Sequence, residues 1–240
     1  MGLRRLRTAH AVAGVSLLLL LGAATTAQEP DAAEVIRRVD AAVAARAENV
    51  LGFTDIEHYS VYRGNDEVHP AAEMTVKDTY KKDVGKEYTV LSRSGSGMVL
   101  RFGLKPLLDN EKAVNVPENV KRSWFISANY QMKLKPGGVQ KLNGRDCFAL
   151  FITPKEKAPN MIDGTLWVDA RDGAIVEING VAAKNPSVFS GTTHMMREYV
   201  NMSGYAMATH ARAESNSLFF GRTVVVIDYS DYHLQLKNSK

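Results

Sequence analysis

The chain has 240 residues, of which 45% are hydrophobic, and it carries 30 basic against 26 acidic side chains, a formal net charge of +4. Three of the basic residues, Arg4, Arg5 and Arg7, stand at the very start, and the rest of the chain is close to neutral. A near-neutral chain gives no reason to expect a nucleic-acid or acidic-lipid surface. The single cysteine, Cys147, excludes an intramolecular disulfide, so an ordinary hydrophobic core must hold the fold.

The first 27 residues are typical of an export signal. A basic start is followed by an apolar stretch from Ala11 to Ala24, too short to span a bilayer, and then by small residues up to Ala27. We expect cleavage after Ala27, which gives a soluble exported protein of residues 28–240. Because Gln28 and not cysteine follows the signal, no lipid anchor is expected at the amino terminus.

The segment after the signal predicts one amphipathic helix. Asp31 precedes Glu34 by three residues, as in a capping box, and apolar residues follow at helical spacing: Val35, Ile36, Val39 and Val43. The helix is expected to run to about Asn49 and to end in the region of Gly52. Its alanine-rich face suits close packing against a sheet.

From Phe53 the hydrophobic period changes to two, which predicts an antiparallel meander of strands. The motif "SRSGSG" at 92–97 has the glycines of a phosphate loop but lacks the lysine and the strand-to-helix context, so a turn is expected there.

The stretch 97–128 interrupts the strands with two short helices. The first places three leucines on one face: Leu104, Leu107 and Leu108. The second is expected to begin near Pro117 and to carry Val120 and Trp124 on one side. Two interpretations stay open, a cover over a sheet and ordinary packing on its core.

Strand-like runs return from about residue 129 to the end, joined by short connections such as "KPGG", "KLNG" and "NMSG". Nine to eleven strands in series predict a large curved sheet, a sandwich or a barrel. In the run 205–215, alternation puts one apolar and mostly small set on a single face: Tyr205, Met207, Thr209, Ala211 and Ala213. Small residues on a concave face leave room for a ligand or let a helix approach closely.

The stretch "DGTLWVDARDGAIVEING" at 163–180 carries four carboxylates: Asp163, Asp169, Asp172 and Glu177. Their order does not match a calcium loop, and Arg171 would put a positive charge near the ion, so no metal site is expected. Two acids can also hydrolyse a glycosidic bond. However, Asp169 and Asp172 stand where a hairpin ahead of Gly173 needs turn-forming residues, so turn chemistry explains them without catalysis.

Alternation in the two strands of this hairpin puts an apolar set on the face away from the acids: Leu166, Val168, Val176 and Ile178. That face is expected to line a pocket or to pack under a cover. No histidine pair has the spacing of a zinc site, and Cys147 lies in an apolar strand where a buried, inert thiol is expected. The sequence therefore predicts no catalytic residue, no metal and no cofactor.

Taken together, these features resemble the LolA-like family of periplasmic lipoprotein-sorting proteins. They are the signal, the single helix, the long meander interrupted by short helices, the "LWVDARDGAIVEI" hairpin and the terminal "REYVNMSGYAMATHARAES...VVVIDYSDYHL" block. The resemblance implies an α+β fold, mainly antiparallel, in one domain over residues 28–240. Its sheet would be an unclosed barrel, with an apolar concave side under a lid of helices. In carriers of this family a basic residue in the sheet helps to hold the lid closed, and the sequence does not show which arginine has that role here.

The resemblance implies a soluble, monomeric periplasmic carrier of acylated lipoproteins or related lipids, served by an inner-membrane donor and an outer-membrane acceptor. Cavity and lid candidates are Leu104, Leu107, Leu108, Trp124, Phe125, Leu166, Val168, Met196 and Met207. Three alternatives stay open. One is a sensor or another lipid-binding protein on the same fold, one is an exported hydrolase that uses Asp169, Asp172 or Glu177, and one is a filled barrel with a structural role.

Overall fold

The structure is a computed structural model, and it describes residues 31–158, 160–184, 190–217 and 221–237. The expected export signal, its cleavage site and Gln28 lie outside the described residues. None of the helices described is both long and apolar enough to cross a bilayer.

Helix α1 spans Ala32–Asn49, as the sequence predicts. Asp31 caps it, since its side chain accepts a hydrogen bond from the Ala33 amide at 3.0 Å. Glu34 does not complete a capping box but binds two arginines one turn further on, Arg37 and Arg38. The helix ends at Asn49, as expected, and it runs directly into the first strand, which contains Gly52.

Eleven strands of the described residues form one antiparallel sheet, which confirms the predicted fold class and strand number. Their bounds are β1 (Val50–Arg63), β2 (Ala72–Lys81), β3 (Gly85–Gly95), β4 (Tyr130–Leu134), β5 (Gln140–Leu142), β6 (Arg145–Pro154), β7 (Ile162–Asp169), β8 (Ile175–Ala182), β9 (Ser190–Met202), β10 (Tyr205–Ser217) and β11 (Gly221–Leu236).

The strand order is β3-β2-β1-β11-β10-β9-β8-β7-β6-β4, and β5 also pairs with β6. The first and last strands therefore lie side by side in the interior of the sheet. Within the described residues the two ends of this order, β3 and β4, do not pair with each other, so the sheet stays open as an unclosed barrel.

The helical insert between β3 and β4 covers residues 97–123. It consists of α2 (Gly97–Val99), a π-helical turn (Leu100–Leu104), α3 (Lys105–Val114), α4 (Pro117–Val120) and a 3-10 turn (Lys121–Ser123). The turn expected at 92–97 is wrong for its first half, because β3 continues to Gly95. Ser96 then caps α2, and its hydroxyl accepts a hydrogen bond from the Val99 amide.

The core is divided according to which helix covers the sheet. The larger set of buried residues lies where α1 packs on the sheet. It includes Val35, Val39, Tyr130, Leu150, Ile152, Leu166, Val168, Ile175 and Ile178. Under the helical insert lies a second set: Tyr59, Val61, Met74, Val76, Leu104, Leu108, Ala211 and Ile227. A third, smaller set surrounds Val50, Phe53 and Met207.

The hairpin between β7 and β8 is shaped by its aspartates. Asp169 is buried, and it accepts hydrogen bonds from the Arg171 amide at 2.8 Å and from Arg145 Nε at 3.0 Å. Asp172 accepts from the Ala174 amide at 2.9 Å. Gly173 follows with φ +72°, a left-handed conformation that glycine adopts without strain. These contacts support the turn interpretation of both acids.

A β-bulge in this hairpin changes which residues share its inner face. Leu166 pairs with Ile178, but Val168 pairs with Ile175, because the register shifts between Trp167 and Val168. Ile175 therefore takes the core position that strict alternation had assigned to Val176. Val176 is buried but does not belong to the set under α1, so its predicted placement is wrong.

The turn of this hairpin also packs directly against α1. A Cβ atom added at Gly173 would lie 2.6 Å from the backbone carbonyl carbon of Arg38, and the Arg38 side chain donates to the Ala170 carbonyl at 3.1 Å. We expect Gly173→Ala to lower the free energy of unfolding by about 3 kcal/mol, through the left-handed φ and the clash with α1.

Gly144→Ala is the matched control, since Gly144 has φ +76° in another hairpin and no atom within 4 Å of the added Cβ. It is expected to lower the free energy of unfolding by only about 1 kcal/mol. Urea unfolding of both variants measures the difference. Equal losses would contradict the role given to the α1 contact.

Candidate functional site

A cavity of about 740 Å³ lies between α1, the helical insert and the inner face of the sheet. Helix α1 contributes small residues to its wall: Ala41, Ala42, Ala45 and Ala47. The sheet contributes aromatic and small residues: Phe53, Tyr80, Tyr199, Tyr205, Ala206, Ala208, Tyr229 and Tyr232. The volume falls in the range of about 300–1,000 Å³ that is usual for small-molecule sites.

Three of the nine residues predicted from the sequence line this cavity. They are Trp124 and Phe125, which follow the helical insert, and Met207 on β10. Phe125 stacks on Tyr130 with ring centroids 5.3 Å apart, which anchors that side of the wall in the core under α1. A role of these three residues as ligand contacts stays a prediction.

The other six lie elsewhere. Leu104, Leu107 and Leu108 pack the helical insert onto the sheet, and Leu166 and Val168 are fully buried under α1. Met196 lies on β9 in register with Asn179 and Arg212, so its side chain is on the face opposite that of Arg197. Met195, one position earlier, packs against the core set under α1 instead.

The three acids considered for a hydrolase do not converge in the cavity. Asp169 and Asp172 are engaged in the turn described above. Glu177 pairs across strands with Glu198, on the face of the sheet away from the Ile178–Arg197 pair. Burial and then the charge of Glu198 raise the pKa of Glu177 above its ordinary value.

The sequence analysis missed the charged residues of the cavity. Lys86 on β3, Glu111 on α3 and Arg197 on β9 all line it. Glu111 Oε2 lies 3.6 Å from Lys86 Nζ, and Glu111 Oε1 lies 3.5 Å from the guanidinium of Arg197. Burial would raise the pKa of Glu111, but the two cations lower it below its ordinary value. The α3 carboxylate is therefore held ionised between two distant strands.

Behind Lys86, in the sheet itself, lie three carboxylates that we call the inner acid group: Asp55, Glu57 and Asp78. All three are almost completely buried. Lys86 Nζ lies 2.9 Å from Glu57 Oε1 and 3.1 Å from Asp78 Oδ2, and the Tyr59 hydroxyl donates to the other oxygen of Glu57. Asp55, Glu57 and Tyr59 share one face of β1 because alternate residues of a strand point the same way, but nothing in the sequence indicated that acids would be buried there.

The spacing of the inner acid group would also suit a metal ion, because one oxygen of each carboxylate lies within 4.8 Å of the others. Lys86 already brings a positive charge into contact with two of the three. The ammonium group thus has the position and the charge that a bound cation would have, and it accounts for the group without a metal.

Asp55 and Asp78 face each other in register on β1 and β2, and apart from the Lys86 ammonium 3.1 Å from Asp78 Oδ2 no donor among the described residues reaches their four carboxyl oxygens. Burial, followed by the charge of Glu57, raises the pKa of Asp55 to about 8. Burial also raises the pKa of Asp78, to about 6, against the opposing charge of Lys86. A proton on Asp55 supplies the missing donor between the two groups.

These raised pKa values predict that stability falls as pH rises. Below about pH 4, the ordinary range of an aspartate pKa, both acids are protonated in the folded and in the unfolded chain. Their protonated forms then make their full contribution to the free energy of unfolding. It is lost as the pH rises through about 6 and then about 8, since the unfolded chain gives up these protons first.

Asp55→Asn keeps a neutral group at this position, so it should flatten the decline. The expected gain over the parent protein is on the order of 1–3 kcal/mol near pH 9 and close to zero near pH 4. Urea unfolding across this pH range measures it, with the exposed Asp163→Asn as control. Identical pH profiles for Asp55→Asn and the parent would refute the protonated state of Asp55.

Known proteins resemble this chain at the level of fold. No protein-family model matches it, and no curated protein matches it. Among solved structures, a LolA superfamily protein from Nitrosomonas europaea is 11% identical, covers 86% of this chain and 94% of its own, and gives a TM-score of 0.43. A putative outer membrane lipoprotein-sorting protein domain from Vibrio parahaemolyticus is 13% identical, over 87% and 94% of the two chains, with a TM-score of 0.46.

A DUF1329 family protein from Desulfovibrio piger is 15% identical, over 85% of this chain and 95% of its own, with a TM-score of 0.41. The LolA-like resemblance noted in the sequence therefore recurs among solved structures. At these identities and TM-scores it is a resemblance of fold and says nothing about a ligand.

Proposed function

We propose that this protein binds an acylated ligand in the cavity between α1, the helical insert and the sheet, and that it acts as a carrier without catalysis. The cavity of about 740 Å³ is the observation on which the proposal rests. An acyl chain gains about 0.8 kcal/mol for each methylene group removed from water, so a wall of alanines and aromatic rings can hold it without any reacting group.

The helical insert would act as the lid of this carrier. Leu104 and Leu108 bury apolar surface against the sheet, while Glu111 contacts Lys86 and Arg197, and all three of these charged residues line the cavity. Arg197 is a basic residue of the sheet in contact with a covering helix. It therefore fits the lid-holding role that the LolA-like resemblance implies and that the sequence could not assign.

The cellular part of the proposal rests on the amino-terminal sequence and on the resemblance. We propose export to the periplasm, cleavage near Ala27 and action as a monomer that receives acylated lipoproteins or lipids from an inner-membrane donor. An outer-membrane acceptor would take the ligand. A sensor on the same fold would bind similar ligands but would not release them to an acceptor.

The first test asks whether the exported protein holds a lipid. Native mass spectrometry and solvent extraction of the purified protein are expected to show a bound acylated molecule, and a fluorescent fatty-acid probe is expected to bind and to be displaced by it. Repeated absence of lipid, together with no probe binding, would count against the proposal.

A substitution that fills the cavity tests its location. Ala208 lines the cavity from β10, and Ala208→Phe is expected to weaken probe binding by about tenfold or more, because the ring occupies space that the acyl chain needs. Ala44→Phe is the matched control, since Ala44 is exposed on α1 and outside the cavity wall. Equal probe affinity in both variants, with similar melting temperatures, would place the ligand elsewhere.

A further inference from the structure

The cavity has a charged floor that an acyl chain does not need. Charged residues that line it are Arg46, Lys82, Lys86, Lys121 and Arg197 on the basic side, and Asp83, Glu111 and Asp172 on the acidic side. Ionised groups are costly to enclose unless a partner of opposite charge meets them. Whether one of these cations can bind a ligand therefore depends on the partners that it already has within the protein.

Most of these cations have partners within the protein. Arg46 donates to the Ala206 carbonyl at 3.0 Å, Lys82 donates to the Glu48 carbonyl at 3.1 Å, and Lys86 contacts the inner acid group. These contacts explain their positions as parts of the fold. Lys121 is exposed at the end of the helical insert, where water solvates its charge. Arg197 differs from all of them, because it lies in the sheet beneath the helices.

Arg197 rises from β9 next to small and apolar cross-strand neighbours, Ile178 on β8 and Ala211 on β10. Its ion-pair partner Glu111 stands at 3.5 Å, and 35% of its side-chain surface remains uncovered although it lies beneath the helices. A guanidinium group has five donors in a planar fork that suits a carboxylate or a phosphate. Tyr199 and Tyr229, which also line the cavity, stand near it, and Tyr199 shares a hydrogen bond with the Arg197 side chain.

We propose that the ligand carries one anionic head group, a carboxylate or a phosphate, and that this group binds Arg197 on the floor of the cavity. This inference rests on the function proposed above and adds the chemical class of the head group. The acyl chain extends along the alanines of α1 and the aromatic rings of the sheet. The head group takes over the contact with Arg197 that the Glu111 carboxylate makes.

The exchange has a consequence for the lid. When an anion displaces Glu111 from Arg197, α3 loses its ion pair with β9, while Glu111 keeps its contact to Lys86 on β3. The lid is then linked to one side of the sheet only. Binding of an anionic ligand therefore loosens the helical insert, whereas a neutral ligand of the same length leaves Glu111 in place.

Three ligands that share a palmitoyl chain but differ in head group test the effect of the head group on binding. Isothermal titration calorimetry compares palmitate, palmitoyl lysophosphatidic acid and neutral monopalmitoylglycerol on the exported protein. At least one anionic ligand is expected to bind about tenfold or more tightly than the neutral one, as charged hydrogen bonds generally contribute. A preference for palmitate identifies a carboxylate head, and a preference for lysophosphatidic acid identifies a phosphate.

Arg197→Gln is expected to remove this preference by lowering the anionic affinity about tenfold, while monopalmitoylglycerol binds within about twofold of the parent. Arg212→Gln is the matched control, because Arg212 is a strand arginine of similar exposure (30%) that pairs with Glu67 and Glu214 outside the cavity. It should keep the full preference.

Glu111→Gln keeps the size of the side chain but removes the competing charge, so the anionic preference should increase. This second variant keeps the inference testable if Arg197→Gln does not fold. If the neutral ligand binds as well as both anions and neither variant changes the ratio, the anionic head group is wrong and the acyl-binding function stands. If none of the three ligands binds, the proposed function itself fails.

Discussion

The pairing of β1 with β11 is the constraint on which the rest of the structure depends. It extends from Val50 opposite Leu236 to Arg63 opposite Thr223, with two register shifts before Ile56, and it joins the first described strand to the last. Because of it, the three strands before the helical insert and the strands after it form one continuous sheet. Only then do Lys86 on β3 and Arg197 on β9 lie on the same side, where the carboxylate of Glu111 can reach both.

The sheet combines two kinds of inner surface. Under α1 the buried residues are almost entirely apolar, and they fix that helix to the β7–β8 hairpin at Gly173. Under the helical insert, buried leucines adjoin a layer of acids and cations that includes Asp55, Glu57 and Lys86. Buried charges stabilise a structure weakly at best, but the loss of one partner is costly. Removal of one ion-paired member of this layer is therefore expected to lower stability.

Local patterns predicted the elements well and the side-chain faces less well. Asp31 and the valines of α1 gave its start and its buried side, and the aspartates around Gly173 indicated the turn. Strict alternation failed for Val176, because a β-bulge shifts the register between Trp167 and Val168. A second bulge, between Ala208 and His210, interrupts the alternation expected along β10. Bulges depend on the partner strand, so a single strand does not reveal them.

The sequence by itself determined the helix, the number of strands, the apolar helical insert and the hairpin turns, since each follows from the period and the conformational preferences of neighbouring residues. Only the tertiary structure decided what faces the cavity. The leucines chosen for the wall pack the insert onto the sheet, while Arg197, Glu111 and the alanines of α1 form much of the wall. Residues 111 and 197 are far apart in the chain, and only the curvature of the whole sheet brings their opposite charges together.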